Sequence, residues 1–432
     1  MIIHQCFSLK INAISNMPAK VNIYDRILFL LIVSLIFGNY GGIFFSPTHI
    51  LAYVCSPVII KEFSETKRSP IKNILIVALI MLMFSFFSLL WTPDDIRAKD
   101  AMTRLLIHLI LFLEIVIVAF NAKNPITTIV NAWICSIVLT SIIAAWEIST
   151  DQHLTNAREV AEYRDQLLGV EKHVAEVTFY NNNTYSLFLI MSLPFLLYKL
   201  FSSRTFVQTL LMSIIFFVLV VILLFNASRG SLISVGVMIA FYVWFSLNSK
   251  SKKKKYYLFF LIIIVSSLLF YYSDVLFEAI LNRSGKKGMF EDNIRSILFE
   301  SAWNLFLSSK GIGLGIGSMQ YSLNAYSGNI TDINYCHNLV LELLLEGGVL
   351  FGMIFFSYIF FLYKCVRGCD NNKIKMVIYG SLMAFPFYSI INSQYLPPTF
   401  IWVFFASLYV FASISLNNYK LKMSKKIQQE YK

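Results

Sequence analysis

The chain has 432 residues, 57% of them hydrophobic and 14% charged, where a soluble domain carries about a quarter charged. That balance excludes the ordinary globular class, and apolar stretches of membrane-spanning length recur along the chain. The net charge of +12 is read as a topology signal, because the positive charges are unevenly shared between the two sides.

Inside lipid every backbone N–H and C=O must be bonded within the chain, and continuous rather than alternating apolarity selects helices over a barrel. The expected fold is an all-α polytopic membrane protein with about twelve transmembrane helices, a single integral membrane domain over 1–432. Spans are expected at 24–45, 46–62, 73–91, 103–121, 126–147, 183–202, 205–225, 231–247, 256–273, 338–363, 376–394 and 399–416. The first two share a weak divider at Tyr40-Gly41-Gly42. Residues 1–23 read as a cytoplasmic extension without a cleavable signal, and Met17 is an alternative start.

With both termini in the cytoplasm, the inner segments hold 24 of the 36 Lys and Arg but 5 of the 24 Asp and Glu. This is the positive-inside pattern. The run Lys250–Lys255 is then a cytoplasmic anchor near anionic headgroups, and a nucleic-acid partner is not expected. Cys365 and Cys369 fall on a short inner loop and Cys336 lies outside, so no structural disulfide is expected.

Two outer segments are long, 148–182 and the larger, periplasmic 274–336, and loops of that length tend to be functional. The second holds Ile297, Leu298, Ala302, Trp303, Leu305 and Phe306 at helical spacing. An amphipathic helix is expected there, lying on the membrane surface or capping a cavity.

The residues that suggest chemistry collect on this outer side. Arg229, in Asn226-Ala-Ser-Arg-Gly230, stands between two spans. An arginine at that depth is costly unless it faces water or a partner, the plain alternative being interfacial snorkelling. Arg295 and Arg283 lie in the large loop, where either is unremarkable by itself. His337 opens the tenth span, followed by Asn338, Glu342, Glu346 and Gly347-Gly348. Gly311, Gly313, Gly315 and Gly317 form an alternating run whose N–H groups can face an anion, or which is simply a turn.

Arginine binds phosphate through two parallel hydrogen bonds and stays charged, so arginines at headgroup level suit a lipid-linked diphosphate. They can neutralise a diphosphate leaving group without a metal, and a neutral histidine can take the proton of an attacking hydroxyl. Neither a cofactor nor a metal site is expected.

The stretch from His337 to Gly352 resembles the signature of the O-antigen ligase and polymerase superfamily, in which His-Asn precedes a glycine-bearing helix. Ser228-Arg229-Gly230 resembles its Ser-Arg-Gly motif, and Thr178-Phe-Tyr-Asn-Asn-Asn183 its Phe-x-Asn-x-Asn segment, here without the proline often found between the asparagines. Arg295 upstream of Gly311–Gly317 resembles the Arg…Gly-x-Gly run of the family's periplasmic loop. The resemblance covers about 175–365.

It implies a metal-independent glycosyltransferase of the bacterial cytoplasmic (inner) membrane that uses an undecaprenyl-diphosphate-linked oligosaccharide as donor. Arg229 and Arg295 would bind the diphosphate and His337 would act as base or orient the acceptor, with Ser228, Arg283, Asn338, Glu342, Gly313, Gly315 and Gly317 in support. The preferred reaction is polymerisation of O-antigen or capsular repeats onto an acceptor glycan, with a chain-length regulator as candidate partner. Ligation to lipid A-core or protein is the alternative, and a flippase for the same lipid-linked substrate is the reading from another class. A purely structural membrane protein is the fourth.

Overall fold

A chain so apolar can bury its backbone polar groups only by coiling them, and the computed structural model of the protein is accordingly helical, with no strand among the described residues. Those residues are 22–38, 40, 42–65, 69–154, 173–226, 228–247, 286–327, 335–367, 369, 371–391 and 395–430. The expected span at 256–273, the lysine run and Arg283 lie outside them.

The helices are α1 (Ile23–Val33), α2 (Pro47–Glu65), α3 (Ser69–Ser88), α4 (Asp95–Asn121), α5 (Pro125–Thr150), α6 (Asn182–Leu200) and α7 (Phe206–Phe225). They continue as α8 (Arg229–Leu247), α9 (Lys286–Ser308), α10 (Met319–Ser327), α11 (Leu339–Arg367), α12 (Asn372–Tyr388) and α13 (Thr399–Glu430). Among the described residues, six helical stretches are long and apolar enough to cross a membrane: Ile71–Ser88, Asp95–Asn121, Pro125–Thr150, Phe206–Phe225, Leu339–Arg367 and Thr399–Leu416. The protein is a polytopic α-helical membrane protein.

Local signals set the helix starts. Asn22, Asp94, Asn181, Thr205 and Asn371 each accept a hydrogen bond from a first-turn amide, satisfying a donor the helix cannot. Asn338 does the same for α11, its Oδ1 accepting from Val340 and Leu341 N–H at 3.1 and 3.2 Å. Asp25 reaches the start of α5, where it accepts from the Lys123 and Asn124 amides and the Thr128 hydroxyl.

The expected first span, 24–45, is not one helix. It is α1, a 3-10 turn over Ser34–Phe37, a break at Gly38 and a single helical turn over Gly42–Phe45. The chain cannot continue there because the 173–181 segment fills the space: a β-carbon at Gly38 would lie 2.3 Å from the Thr178 carbonyl oxygen. The Thr178 hydroxyl donates to the Ile36 carbonyl at the same place.

Helix α6 is the centre, buried from Thr184 through Leu197, as expected of a helix apolar all round. It packs on α5, α7, α8, α12 and α13. Aromatic rings lock this centre, with Trp133 stacked on Phe195 at 5.3 Å between centroids and Phe404 meeting both edge-on. Since lipid gives apolar side chains little reason to leave it, packing and interhelical hydrogen bonds hold the bundle, such as Trp133 Nε1–H to Ser407 Oγ at 3.2 Å.

The amphipathic helix expected in the large loop is α9. Leu298 is buried, and Ala302 and Phe306 are buried against α10 and α11, while Ile297, Trp303 and Leu307 are exposed. It therefore lies against the start of α11.

Candidate functional site

The sequence motifs converge on one end of the bundle, and backbone contacts define how. Helix α7 ends at Asn226, whose side chain is almost fully buried and makes four hydrogen bonds. Its Oδ1 accepts from Ala175 N–H at 2.8 Å, and its Nδ2 donates to the Ala175 carbonyl at 3.1 Å, the Asn182 carbonyl at 3.3 Å and Ser186 Oγ at 3.1 Å. The Asn-Ala-Ser-Arg-Gly motif is thereby fastened to the segment carrying Thr178-Phe-Tyr-Asn-Asn-Asn183.

Glu147, fully buried in the last turn of α5, fixes that segment from the other side. Its carboxylate accepts from Glu176 and Val177 N–H, both at 2.8 Å, and from Leu154 N–H at 3.2 Å. A carboxylate at a helix C-terminus opposes the macrodipole, and three amide donors offset that here.

Beyond Asn226 the chain turns through Ser228 into α8, with Ser228 Oγ accepting from Ser231 Oγ at 2.8 Å and Arg229 as the first helical residue. Gly230 brings α8 close to the end of α12. A β-carbon there would meet Ile391 Cγ1 at 2.9 Å and the Phe387 carbonyl at 3.2 Å. The same turn, Phe387–Ile391, receives α11: Leu339 N–H donates to the Ser389 carbonyl at 3.0 Å. Ser228-Arg229-Gly230 and His337-Asn338-Leu339 thus border one turn from two directions. His337 stands just before the helix, half-buried, with φ of 52°. That backbone conformation is uncommon outside glycine and tends to mark functional sites.

Helix α11 carries two buried carboxylates one turn apart, and Tyr395 spans both. Its N–H donates to Glu342 Oε2 at 3.1 Å and its hydroxyl to Glu346 Oε2 at 2.8 Å. Burial, with Glu346 beside it, holds the Tyr395 hydroxyl well above its ordinary pKa, so it remains a donor. The Tyr395 carbonyl in turn accepts from Trp402 Nε1–H at 2.9 Å. Below this lie His49 and His108, both within hydrogen-bond reach of the Thr399 hydroxyl. Cys336 is buried beside Met319, and burial and the neighbouring Glu342 push its thiol pKa up.

The glycine run has a packing use. Leu314 and Gly315 N–H donate to the Leu345 and Glu346 carbonyls, Gly313 N–H to Ser309 Oγ, Ile316 N–H to Ser88 Oγ and Met319 N–H to Glu346 Oε1. Trp91 Nε1–H donates to the Gly313 carbonyl and Thr92 Oγ1 to that of Ile316. The loop is therefore threaded between the α3–α4 turn and a kink in α11 at Gly348, where φ is 63° and ψ −159°. These amides are occupied within the protein, including those of Gly313 and Gly315.

Of the residues singled out from sequence, Ser228, Arg229, His337, Asn338 and Glu342 are gathered around the Phe387–Ile391 turn and Tyr395. Gly313 sits against Glu346 and Gly348, Gly315 against Ser88 and Thr92 at the α3–α4 connection, and Gly317 against Arg97 and Ala98 in the first turn of α4. Arg295 lies in α9, about one turn before Leu298, on the helix that packs on α11. Sequence reasoning gave no role to Asn226, Glu147 or Tyr395. Glu147 had a signal, its position at a helix C-terminus; the other two are recognisable only from contacts distant in sequence. Among the described residues no group of three or more His, Cys, Asp and Glu is placed to hold a metal ion.

A family model described as O-antigen ligase matches residues 181–357, the stretch containing Asn181–Asn183, the α7–α8 motif, the glycine run and the first half of α11. The chain is also 22% identical over 352 residues to the teichuronic acid biosynthesis protein TuaE of Bacillus subtilis (strain 168), covering 78% of this chain and 70% of that protein. With its motifs assembled on a helical membrane scaffold, the chain resembles membrane proteins of the O-antigen ligase and polymerase family over this stretch.

Proposed function

We propose that this protein is a membrane glycosyltransferase that extends a glycan by transfer from an undecaprenyl-diphosphate carrier at the outer face of the cytoplasmic membrane. An acceptor hydroxyl oxygen attacks the anomeric carbon, the carbon–oxygen bond to the diphosphate breaks, and the diphosphate leaves with the electron pair. His337 takes the hydroxyl proton, Arg229 and Arg295 neutralise the leaving group, and no metal takes part. Ser228, Asn338 and Glu342 hold this geometry. The observation that carries the reading is that the His-Asn and Ser-Arg-Gly motifs border the same Phe387–Ile391 turn.

The topology that goes with it has about twelve crossings in one membrane domain, both termini cytoplasmic, and 148–182 and 274–336 outside. The uneven placement of Lys and Arg supports this orientation. The relative named for teichuronic acid biosynthesis favours glycan assembly, with a growing glycan as acceptor. The description of the matched family favours the second reading, ligation of a finished glycan to lipid A-core or another acceptor.

The test is transfer in liposomes with the donor already on the accessible leaflet. A ladder of lengthening lipid-linked glycan, lost in His337→Ala, is the expected result. Full activity of that variant removes the catalytic assignment, and a single transfer onto lipid A-core without a ladder replaces polymerase by ligase. No transfer by the wild-type protein favours a flippase.

A further inference from the structure

Tyr40 and Tyr180 stack on one another at the end of the bundle that carries the candidate site, with ring centroids 6.1 Å apart and planes 28° from parallel. One follows the break after α1 and the other belongs to the 173–181 segment, yet both stay exposed, at 50% and 42%. The backbone is bent to present them. Val177 and Tyr180 have positive φ, 54° and 58°, a conformation that bulky side chains rarely adopt and that clusters at binding sites. These turns send neighbouring rings to opposite sides: Phe179 is buried against Tyr185, Phe188 and Phe400, and Tyr180 faces out. Glu147 accepts from the Val177 amide, and Thr178 bonds Ile36 and packs on Gly38, two residues before Tyr40. Tyrosines that merely anchor a protein at headgroup level need no such backbone.

Uncommitted amide groups flank the rings. Asn181 Oδ1 accepts from Asn183 and Thr184 N–H at 2.8 and 3.2 Å, which leaves its Nδ2 free among the described residues. Asn183 is half-buried, and its side chain takes part in none of the hydrogen bonds that hold the segment. Aromatic faces edged by amides match the two sides of a sugar: the C–H face of a pyranose covers the electron-rich ring, and its hydroxyls bond the amides. A lipid tail on these rings would leave the amides without partners.

The pair is also tied to the candidate site. Asn182 Nδ2 donates to the Asn226 carbonyl at 3.4 Å, and Asn226 Nδ2 to the Asn182 carbonyl at 3.3 Å. The path from Tyr180 to Arg229 is therefore two residues, one hydrogen bond and three residues, roughly 20 Å at full extension. A glycan whose diphosphate sits at Arg229 reaches the tyrosines within its first few sugars. His337 comes to the Phe387–Ile391 turn from α11, the other direction.

We infer that Tyr40 and Tyr180, with Asn181 and Asn183, form a sugar-binding subsite that stacks a pyranose ring of the donor's glycan. The donor is singled out because the platform is fastened to the Arg229 side of the site. The inference rests on the transferase reading for the identity of the glycan. It gives a donor carrying several sugars an advantage over one carrying a single sugar.

The test uses the full-length protein in detergent. The probe is the oligosaccharide released by mild acid from the polyprenyl-diphosphate pool of the producing cells, tagged at its reducing end with a fluorophore. Tyr180→Asn deletes the ring while tolerating positive φ, and Tyr40→Ser deletes its partner. Each should weaken binding about five- to tenfold, the worth of one aromatic contact, whereas Tyr180→Phe and Tyr180→Trp should stay within about twofold of wild type. A lowered Tm in one ring deletion leaves the other to decide. Equal affinity in the wild type and both deletions, or no binding by the wild type, overturns the subsite. In the liposome assay the kcat/KM of a repeat-unit donor relative to a one-sugar donor should fall by the same factor in Tyr180→Asn. A rise in acceptor KM alone overturns the assignment to the donor. Wild-type transfer with ring deletions that bind and react as wild type defeats the subsite alone, whereas tyrosine-dependent glycan binding without transfer defeats the transferase reading alone.

Discussion

The side-chain amide of Asn226 pairs with the backbone of Ala175 at both ends, accepting its N–H at 2.8 Å and donating to its carbonyl at 3.1 Å. Fifty-one residues separate the partners, so this one side chain replaces a strand-like pairing between two segments that form no regular structure together. Position 226 immediately precedes the Ala-Ser-Arg-Gly stretch, and the pairing sets where α8 begins relative to the 173–181 segment.

Replacing Asn226 by Ala removes all four bonds and leaves a buried Ala175 N–H without its acceptor. An unsatisfied buried donor costs about 1–3 kcal/mol, and membrane-embedded side-chain bonds average ~0.6 kcal/mol. The expected loss is therefore about 2–3 kcal/mol, seen as a lower Tm in detergent, with glycan transfer falling at least tenfold. Asn226→Asp should fall between, since it keeps the acceptor and loses both donors. A Tm unchanged in Asn226→Ala would show that the segment is held elsewhere.

Tyr395→Phe deletes only the hydroxyl bond to Glu346, and the amide bond to Glu342 remains. Loss of a bond to a buried carboxyl group costs about 1–3 kcal/mol. The sign of any pH effect follows from the raised pKa of this tyrosine. A neutral hydroxyl favoured in the folded state contributes below the unfolded pKa of about 10 and is lost only as pH rises beyond it. The hydroxyl should thus keep its proton from about pH 6 to 9, and Tyr395→Phe should be less stable than wild type throughout that range. Denaturation in a buffer series checks this, and a difference absent across the whole range would contradict the assignment.

Hydropathy made most helices legible because each spanning segment must satisfy its own backbone, so α3, α5 to α8 and α11 start and end near their expected bounds, whereas α4 starts at Asp95 rather than 103, α12 ends at Tyr388 rather than 394 and α13 runs on to Glu430 rather than 416. The candidate residues Arg229, at the start of α8, and His337, just before α11, stand out in the sequence because arginine and histidine are scarce beside apolar spans. The meeting of these residues was not legible. It depends on Ser389, Ile391 and Tyr395, ordinary residues that matter only because α12 ends where α8 and α11 begin. The glycine run was legible as special backbone, but its purpose lay in Leu345, Glu346 and Ser88, far away in sequence. The break at Gly38 was hidden for the same reason, being imposed by Thr178.

Gly348 and Gly313 face each other across the α11 kink, and neither position accepts a side chain. A β-carbon at Gly348 would lie 2.2 Å from the Ile312 carbonyl oxygen, and one at Gly313 2.5 Å from Gly348 N, both at positive φ. Left-handed backbone costs a non-glycine residue about 1–2 kcal/mol, and overpacking about 1–3 more. Gly348→Ala and Gly313→Ala should each lower stability by about 2–5 kcal/mol, measured as the yield and Tm of monodisperse protein. Gly236→Ala, in α8 with nothing within 4 Å of the added carbon, should be neutral or stabilise by about 0.5–1 kcal/mol. Equal behaviour of the three variants would mean that the kink does not depend on glycine.

If arginines rather than a cation neutralise the departing diphosphate, transfer should be indifferent to chelators. Excess EDTA is expected to leave the initial rate within twofold, whereas Arg229→Ala and Arg295→Ala should each reduce kcat by about 10²–10³-fold, as removal of a preorganised charge-stabilising donor does. Lysine keeps the charge but loses the two-pronged geometry, so Arg229→Lys and Arg295→Lys should recover only part of the rate. The pattern separates leaving-group stabilisation from fold maintenance, because a structural arginine would alter Tm along with rate. A rate that collapses in EDTA and returns with a divalent cation would assign the neutralising charge to a metal, and an arginine variant with unchanged kcat would remove that residue from the diphosphate site.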